Sequence, residues 1–271
     1  MATKFKQKAS SAIIILIGLM TIFSLSGLFF VSNQSQSALQ NQNSQQSNLP
    51  PMEKITLTTS DNKTIAADYF PVDQAQFTNP AGWAVLTHMM PATKESWNSL
   101  ANDLQNNGFE SIAIDLRGHG ESEGGPNGYL KFSNKDTQKS ILDIAAAVNY
   151  LESKGATPDK IFLIGASIGA NLSLEYLAEN GNFPAAILFS PGLNYKGIEA
   201  APLIEKLKLG QKVVFITSKD DGSNNSEVQA LYGKVPAGVA KETKSFQFGG
   251  HGTDILKSHP DLNDLVINYL Q

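Results

Sequence analysis

Short apolar runs alternate with amphipathic stretches through most of the chain beyond residue 54. Apolar runs of this length, separated by helical patterns, are typical of strands buried on both faces of a parallel sheet. We predict such strands over residues 83–87, 111–115, 160–164, 185–189, 212–217 and 245–248. Helices are predicted over residues 95–107, 135–153, 168–179, 226–232 and 261–270. This alternation predicts an α/β domain with helices on both faces of the sheet.

Two earlier runs alternate polar and apolar residues instead. Residues 54–59 (KITLTT) and 64–70 (TIAADYF) are separated by the turn-forming pair Asp61-Asn62. Two alternating runs joined in this way predict an antiparallel hairpin. We therefore expect residues 54–271 to form one domain, with a mostly parallel central sheet that begins with an antiparallel hairpin.

The first 31 residues have the pattern of a membrane-targeting segment. Three lysines precede an uncharged apolar run over residues 12–31, which has the length needed to cross a bilayer, about 20 residues. Lysines favour the cytoplasmic side, so the rest of the chain is expected outside the cytoplasm. The run is long for a cleaved signal peptide, yet the small residues Ser35 and Ser37 have cleavage spacing. A single-pass anchor and a cleaved signal with a secreted product both remain open.

Residues 32–53 are expected to be a disordered linker. Of the 17 residues from 32 to 48, 15 are Ser, Asn or Gln. Such a segment has too little apolar surface to offset the entropy lost on folding. Pro50 and Pro51 end it, shortly before the first predicted strand.

Composition excludes several classes of protein. The chain has no cysteine, so disulfides, Cys-ligated metals, a cysteine nucleophile and a lipidated cysteine are excluded. The formal net charge is −4, although the first 31 residues carry only positive charges. A predominantly acidic domain is not expected to bind nucleic acid.

The most informative motif is GASIG at residues 165–169, a G-x-S-x-G sequence. It follows a predicted strand and precedes a predicted helix, which is the context of a nucleophile elbow. In such an elbow a sharp turn projects the serine hydroxyl from the end of the sheet. Ser167 is therefore the candidate nucleophile.

A serine nucleophile needs a histidine to accept its proton. His251 lies in the glycine-rich sequence FGGHGT, directly after the last predicted strand. This position suits a catalytic base. The other histidines, His88, His119 and His259, are expected to have structural roles.

The histidine in turn needs a carboxylate to orient it. Asp220 and Asp221 follow the strand predicted at 212–217, and catalytic groups gather at the carboxyl ends of parallel strands. The order Ser167, Asp221, His251 is the order expected in this architecture. We favour Asp221 and keep Asp220 as the alternative.

These motifs resemble those of α/β-hydrolase-fold serine hydrolases of the esterase-like and dienelactone-hydrolase-like kind. The resemblance covers residues 54–271 and includes DLRGHGES at residues 115–122, similar to a D-x-R-G-x-G-x-S stretch in esterase-like members. In that family this stretch is structural, so Asp115 and Arg117 are not expected to be catalytic. The short segment after the strand at 185–189 implies that a large lid is absent.

The resemblance also implies an oxyanion hole built from two backbone amides. One follows the elbow serine and is here Ile168. The other follows the third strand of the fold, where this chain has HMMP instead of a glycine-containing sequence. Met90 is the expected second donor and Met89 the alternative. The resemblance implies no metal or organic cofactor.

The expected function is hydrolysis of carboxylic esters of small to medium size, at a membrane or after secretion. A peptidase or a dienelactone-type hydrolase on the same fold remains an alternative, because the fold does not fix the substrate. A catalytically silent binding protein is a further alternative, which the unusual Met89 keeps open.

Overall fold

The computed structural model describes residues 49–271, whose centre is an eight-stranded β-sheet. Residues 49–271 form ten strands: β1 (Glu53–Thr58), β2 (Thr64–Phe70), β3 (Gly82–Thr87), β4 (Phe109–Ile114), β5 (Ile161–Ala166), β6 (Ala185–Phe189), β7 (Asn194–Tyr195), β8 (Ile198–Glu199), β9 (Lys212–Ser218) and β10 (Ala240–Phe246). The two-residue strands β7 and β8 pair only with each other, as a small separate hairpin.

The described part of the chain also has eight α-helices: α1 (Asn98–Asn106), α2 (Asn134–Gln138), α3 (Ile141–Ser153), α4 (Ile168–Glu179), α5 (Ala200–Glu205), α6 (Asn224–Lys234), α7 (Asp254–Ser258) and α8 (Leu262–Leu270). Short 3-10 helices lie at Lys94–Trp97, Gly128–Lys131 and Pro158–Lys160. Between β6 and β9 there are only β7, β8 and the six-residue helix α5, so this part of the domain has no large lid.

The strand order in the sheet is β1-β2-β4-β3-β5-β6-β9-β10. The pairs β1/β2 and β2/β4 are antiparallel, and every other neighbouring pair is parallel. The predicted mostly parallel sheet with an antiparallel N-terminal hairpin is therefore confirmed. The carboxyl ends of β5, β6 and β9 lie side by side, so residues that follow these three strands meet at one edge.

Each face of the sheet carries its own hydrophobic core because side chains alternate along a strand. In β3, Val85 packs with residues of α3 and α4, whereas Ala84 and Leu86 pack with residues of α1 and α8. All six residues of β3 are buried, which explains why this central strand is apolar up to its last residue, Thr87. The predicted placement of helices on both faces is confirmed.

The final strand differs from its prediction. We predicted it at residues 245–248, whereas β10 spans Ala240–Phe246 and pairs in parallel with β9 along its whole length. Its sequence, AKETKSF, is polar and mostly exposed because β10 has only one neighbouring strand. A search for apolar runs finds buried strands and misses a polar edge strand of this kind.

The helix predicted over residues 135–153 is two helices, α2 and α3. The side chain of Ser133 accepts a hydrogen bond from the Asp136 amide and caps α2 at its start. Lys139 and Ser140 separate the two helices, and the long apolar face belongs to α3 alone. Helix α4, by contrast, has the predicted bounds of 168 and 179.

The predicted targeting segment and nearly all of the linker lie outside the described residues. Among residues 49–271, no helix is both long enough and apolar enough to span a bilayer. Strand β1 begins at Glu53, one residue before the predicted start of the domain at residue 54.

Candidate active site

Ser167 lies in the sharp turn between β5 and α4. Its backbone has φ 54° and ψ −118°, in a region that residues other than glycine rarely occupy. The Ser167 amide donates to the Phe189 carbonyl at 2.8 Å, which ties the turn to the end of β6. Strand, strained serine and helix follow one another as a nucleophile elbow requires.

The first turn of α4 touches the segment that follows β3. A methyl group added at Gly169 would lie 2.3 Å from the Thr87 carbonyl oxygen and 2.6 Å from that of His88. Distances this short are impossible, so only glycine permits this approach. The elbow and the segment containing Met89 and Met90 are thus held against each other through a glycine.

We expect Gly169→Ala to destabilise the protein by about 1–3 kcal/mol, because the extra methyl forces two backbones apart. Gly233→Ala is the matched control, since Gly233 also lies in a helix and has no atom near the added methyl group. Alanine favours helices, so this control is expected to be neutral or to stabilise by up to about 1 kcal/mol. Denaturant unfolding gives the free energy of unfolding of both variants. Equal values would contradict the proposal that only glycine fits at position 169.

The imidazole of His251 is hydrogen-bonded to a carboxylate. His251 Nδ1 lies 2.7 Å from Asp221 Oδ2, with 33% of the histidine side chain and 15% of the aspartate side chain exposed. With Nδ1–H donating to the carboxylate, the Nε2 atom of neutral His251 is left as an acceptor. This is the tautomer that a general base needs, and the partial exposure of His251 leaves its ring accessible.

Asp220, the alternative acid, has a different set of partners. Its Oδ1 accepts hydrogen bonds from Ser218 Oγ at 2.6 Å and from the Gly250 amide at 3.2 Å. Its Oδ2 accepts from the Gly249 amide at 3.2 Å. The bonds from Ser218 and from the two glycines lower the pKa of Asp220. Asp220 therefore braces the loop that carries His251, and Asp221 contacts the histidine itself.

Further bonds hold the His251 loop against the ends of β6 and β9. The Gly252 amide donates to Ser190 Oγ at 3.0 Å. The Gly250 carbonyl oxygen lies 2.6 Å from Ser218 Oγ and competes with Asp220 Oδ1 for the single hydrogen of that hydroxyl. Ser190 is fully buried, and its own amide donates to the Ile216 carbonyl at 2.8 Å. The loop thus has a fixed position beside the elbow.

The two amides expected to form an oxyanion hole lie on the segments that Gly169 brings together. Ile168 is the first residue of α4, and the amides of a helix's first turn have no partner within the helix. Met89 is 8% exposed, whereas Met90 is only partly buried. His88 Nδ1 lies 2.8 Å from the Met89 carbonyl oxygen, which restricts this segment.

The other three histidines are held by backbone groups. His88 Nε2 accepts from the Leu116 amide at 3.0 Å, and burial, followed by the nearby His119, lowers the pKa of His88 to about 4. Burial also lowers the pKa of His119, whose ring stacks on Tyr129 at 4.1 Å. His259 Nε2 lies 2.7 Å from the Phe248 carbonyl oxygen. Each of these three rings therefore has a structural contact of its own.

The stretch at residues 115–122 contains buried charged residues that form ion pairs with other parts of the domain. Asp115 accepts from the Lys94 amide at 2.8 Å and from Lys94 Nζ at 3.1 Å. Arg117 donates through Nε to Asp143 at 2.9 Å and through Nη1 to Asp61 at 2.7 Å. These pairs place Asp115 and Arg117 in structural contacts. Among residues 49–271, no group of three or more His, Asp or Glu side chains is arranged to hold a metal ion.

Comparison with known proteins shows the family to which this chain belongs. Residues 78–252, which include the elbow and the His251 loop, match the family described as serine aminopeptidase, S33. The chain belongs to this hydrolase family.

Relatives of this S33-family chain include a lipase and a toxin. A monoacylglycerol lipase from Mycolicibacterium smegmatis is 29% identical over 179 residues, which are 60% of this chain and 61% of the lipase. A multifunctional-autoprocessing repeats-in-toxin protein of Vibrio cholerae is 31% identical over 122 residues, or 42% of this chain but 2% of the toxin. This chain therefore corresponds to only part of each relative's length.

A solved esterase from Pyrococcus furiosus has a similar fold, with a TM-score of 0.65 and 19% identity. The match covers 81% of this chain and 89% of that one. Together with the strand order, this similarity confirms the predicted α/β-hydrolase fold.

Sequence reasoning missed two residues at the site of this S33-family chain, Ser190 and Tyr195. Ser190 has φ 48°, and its Oγ accepts a hydrogen bond from the Gly252 amide. Tyr195 in β7 packs its ring against that of His251, with 6.3 Å between the ring centroids. Neither belongs to a recognisable motif. The only local signal is Lys196-Gly197, both at positive φ, which makes the tight turn between β7 and β8.

Proposed function

We propose that this chain is a serine-dependent hydrolase of carboxylic esters of small to medium size. The observation that carries the proposal is the 2.7 Å hydrogen bond between His251 and Asp221, in a loop held beside the strained Ser167 elbow. The lipase and esterase relatives support the choice of an ester substrate.

In the proposed reaction, Ser167 Oγ bonds to the ester carbonyl carbon while its proton passes to His251 Nε2. Asp221 holds the ring and stabilises the imidazolium that forms. His251 then gives the proton to the departing alcohol oxygen as the C–O bond breaks. Water, deprotonated by the same histidine, attacks the acyl-enzyme, releases the acid and restores Ser167.

The negative oxygen that forms on the carbonyl carbon needs hydrogen-bond donors in place before the reaction. We assign this role to the amides of Ile168 and Met90, with Met89 as the alternative to Met90. Each such donor is worth about 3 kcal/mol of barrier. The contact at Gly169 supports this assignment because it holds the two segments together.

We propose further that the domain acts outside the cytoplasm. The support is the sequence of residues 1–31, with its three lysines before an uncharged apolar run. Residues 12–31 then anchor the protein in the membrane, or are removed to release it.

The test is hydrolysis of p-nitrophenyl esters from acetate to long acyl chains by the full-length protein. We expect turnover to be greatest on short and medium chains, and the decline with length measures the acyl pocket. Absence of hydrolysis across the series by a folded protein would contradict the ester proposal.

The family description favours one second candidate, an aminopeptidase. Amino-acid p-nitroanilides, tested beside the ester series, distinguish the two candidates. Faster hydrolysis of the anilides would assign peptidase activity. If the folded protein hydrolyses neither esters nor anilides, and a fluorophosphonate does not label Ser167, the protein is a catalytically silent binding protein.

A further inference from the structure

His88 begins the segment that carries the Met90 amide, and both nitrogens of its ring are hydrogen-bonded. The side chain is fully buried. Its Nε2 atom accepts from the Leu116 amide at 3.0 Å, so the hydrogen of the neutral ring is on Nδ1. Nδ1 lies 2.8 Å from the Met89 carbonyl oxygen and donates to it. The two contacts together fix the tautomer of His88.

The carbonyl that His88 holds belongs to the same peptide group as the Met90 amide. The peptide between Met89 and Met90 is trans, so its C=O and N–H point in opposite directions in one plane. A hydrogen bond to the Met89 oxygen therefore also sets the direction of the Met90 N–H. Any rotation that turned this N–H elsewhere would break the bond to His88.

The group that holds His88 on its other side has a fixed position. Leu116 is buried in the stretch at residues 115–122. The amide that precedes it, that of Asp115, donates to the Ala66 carbonyl in β2 at 2.9 Å. His88 thus connects this structural stretch to the segment after β3.

The side chain of Met89 packs against the loop that carries His251. A methyl group added at Gly252 would lie 2.6 Å from Met89 Sδ and 3.4 Å from Met89 Cβ. Met89 is buried in the hydrophobic core that includes residues of α1 and α8. The peptide between Met89 and Met90 is therefore held by this packing and, at its carbonyl, by His88. A glycine at position 89 would lack the contact with Gly252.

We propose that His88 is a positioning residue of the active site, which holds the peptide between Met89 and Met90 so that the Met90 N–H keeps the direction of an oxyanion donor. This inference rests on the proposed function. A donor acts most strongly when its direction is set before the negative charge develops, because the reaction then spends no energy on turning it. The bond to Met89 needs the neutral ring. Burial, followed by the nearby His119, lowers the pKa of His88 to about 4, so the ring stays neutral at pH 7.

Two substitutions in the full-length protein separate the two hydrogen bonds of His88. An asparagine amide lies about where Nδ1 lay, so His88→Asn keeps a donor for the Met89 carbonyl and loses the acceptor for the Leu116 amide. A glutamine amide reaches about as far as Nε2, so His88→Gln keeps the acceptor and loses the donor.

The larger loss of activity is expected in His88→Gln. Removal of an oxyanion donor costs about 10²–10³-fold in kcat, and a donor that has only lost its fixed direction keeps part of this effect. We therefore expect kcat for p-nitrophenyl acetate to fall by about tenfold in His88→Gln and by no more than about threefold in His88→Asn. KM should stay within about twofold in both variants.

Inhibition by a trifluoromethyl ketone measures the oxyanion site directly. Ser167 Oγ bonds to its carbonyl carbon while the serine proton passes to His251, and the carbonyl oxygen becomes negative as in the reaction. The inhibition constant should rise by about tenfold in His88→Gln. Tyr69→Phe is the matched control, because it removes the buried hydrogen bond to Glu110 in a part of the sheet that β3 and β4 separate from β5. It should lower Tm and leave kcat and the inhibition constant unchanged.

The outcomes separate this inference from the proposed function. Normal kcat and a normal inhibition constant in His88→Gln, with an active wild type, would overturn the role of His88 alone. Equal losses of kcat in His88→Gln and His88→Asn would also overturn it, since such losses follow the packing of the ring and not its donor. If the variants do not fold, ¹⁵N NMR of the wild-type histidine rings still tests the inference: a neutral His88 with its hydrogen on Nε2 at pH 7 would exclude the bond to Met89. A folded wild type that neither reacts with a fluorophosphonate nor hydrolyses esters or anilides would overturn the proposed function, and the role of His88 with it.

Discussion

Ser167→Ala is expected to lower kcat/KM for p-nitrophenyl esters by at least about 10⁴-fold. The variant lacks the oxygen that forms the acyl-enzyme, and the remaining groups supply only binding and oxyanion stabilisation. The elbow backbone has the same contacts in both proteins, because the Ser167 amide bond to Phe189 does not involve the side chain. Thermal unfolding should therefore change little while turnover and fluorophosphonate labelling disappear.

The control for this variant is Ser226→Ala, which removes the hydroxyl of an exposed serine on α6. It should keep wild-type turnover and labelling. If Ser167→Ala retained more than about a tenth of wild-type activity, or were still labelled, Ser167 would not be the nucleophile.

Asp221→Asn is expected to lower kcat by about 10³–10⁴-fold. An asparagine amide facing Nδ1 favours the other tautomer of His251, in which Nε2 carries the proton and cannot accept one from Ser167. Fold should be preserved, since asparagine has nearly the same shape. Steady-state kinetics on the same ester, with Tm measured in parallel, reports the effect.

The loss of kcat in Asp221→Asn is to be compared with that in Asp220→Asn, a variant of the neighbouring residue. Its amide oxygen still accepts from Gly249 or Gly250, so the loop keeps part of its support and kcat should fall by no more than about tenfold. A larger loss in Asp220→Asn than in Asp221→Asn would transfer the role of orienting His251 to Asp220.

Local sequence was sufficient for the parts of this protein that depend on neighbouring residues. Buried strands need continuous apolar side chains, so β3, β5 and β6 were predicted within two residues at each end. The elbow needs small residues on either side of Ser167, and glycines around His251 marked a loop after a strand. The alternation of strands and helices thus predicted an α/β domain, and the resemblance of its motifs to a known family indicated the residues to test.

Choices between adjacent positions required long-range contacts. Asp220 and Asp221 lie in the same turn after β9, and their sequence contexts are nearly identical. They differ in what their side chains contact in the loop about thirty residues later. Asp220 accepts from the Gly250 amide, whereas Asp221 is hydrogen-bonded to the His251 ring. The same reason explains Tyr195, whose ring lies against His251 although 56 residues separate the two in the sequence. Local patterns specify elements because they reflect burial and turn geometry, whereas the partner of each polar side chain depends on which elements the folded chain brings together.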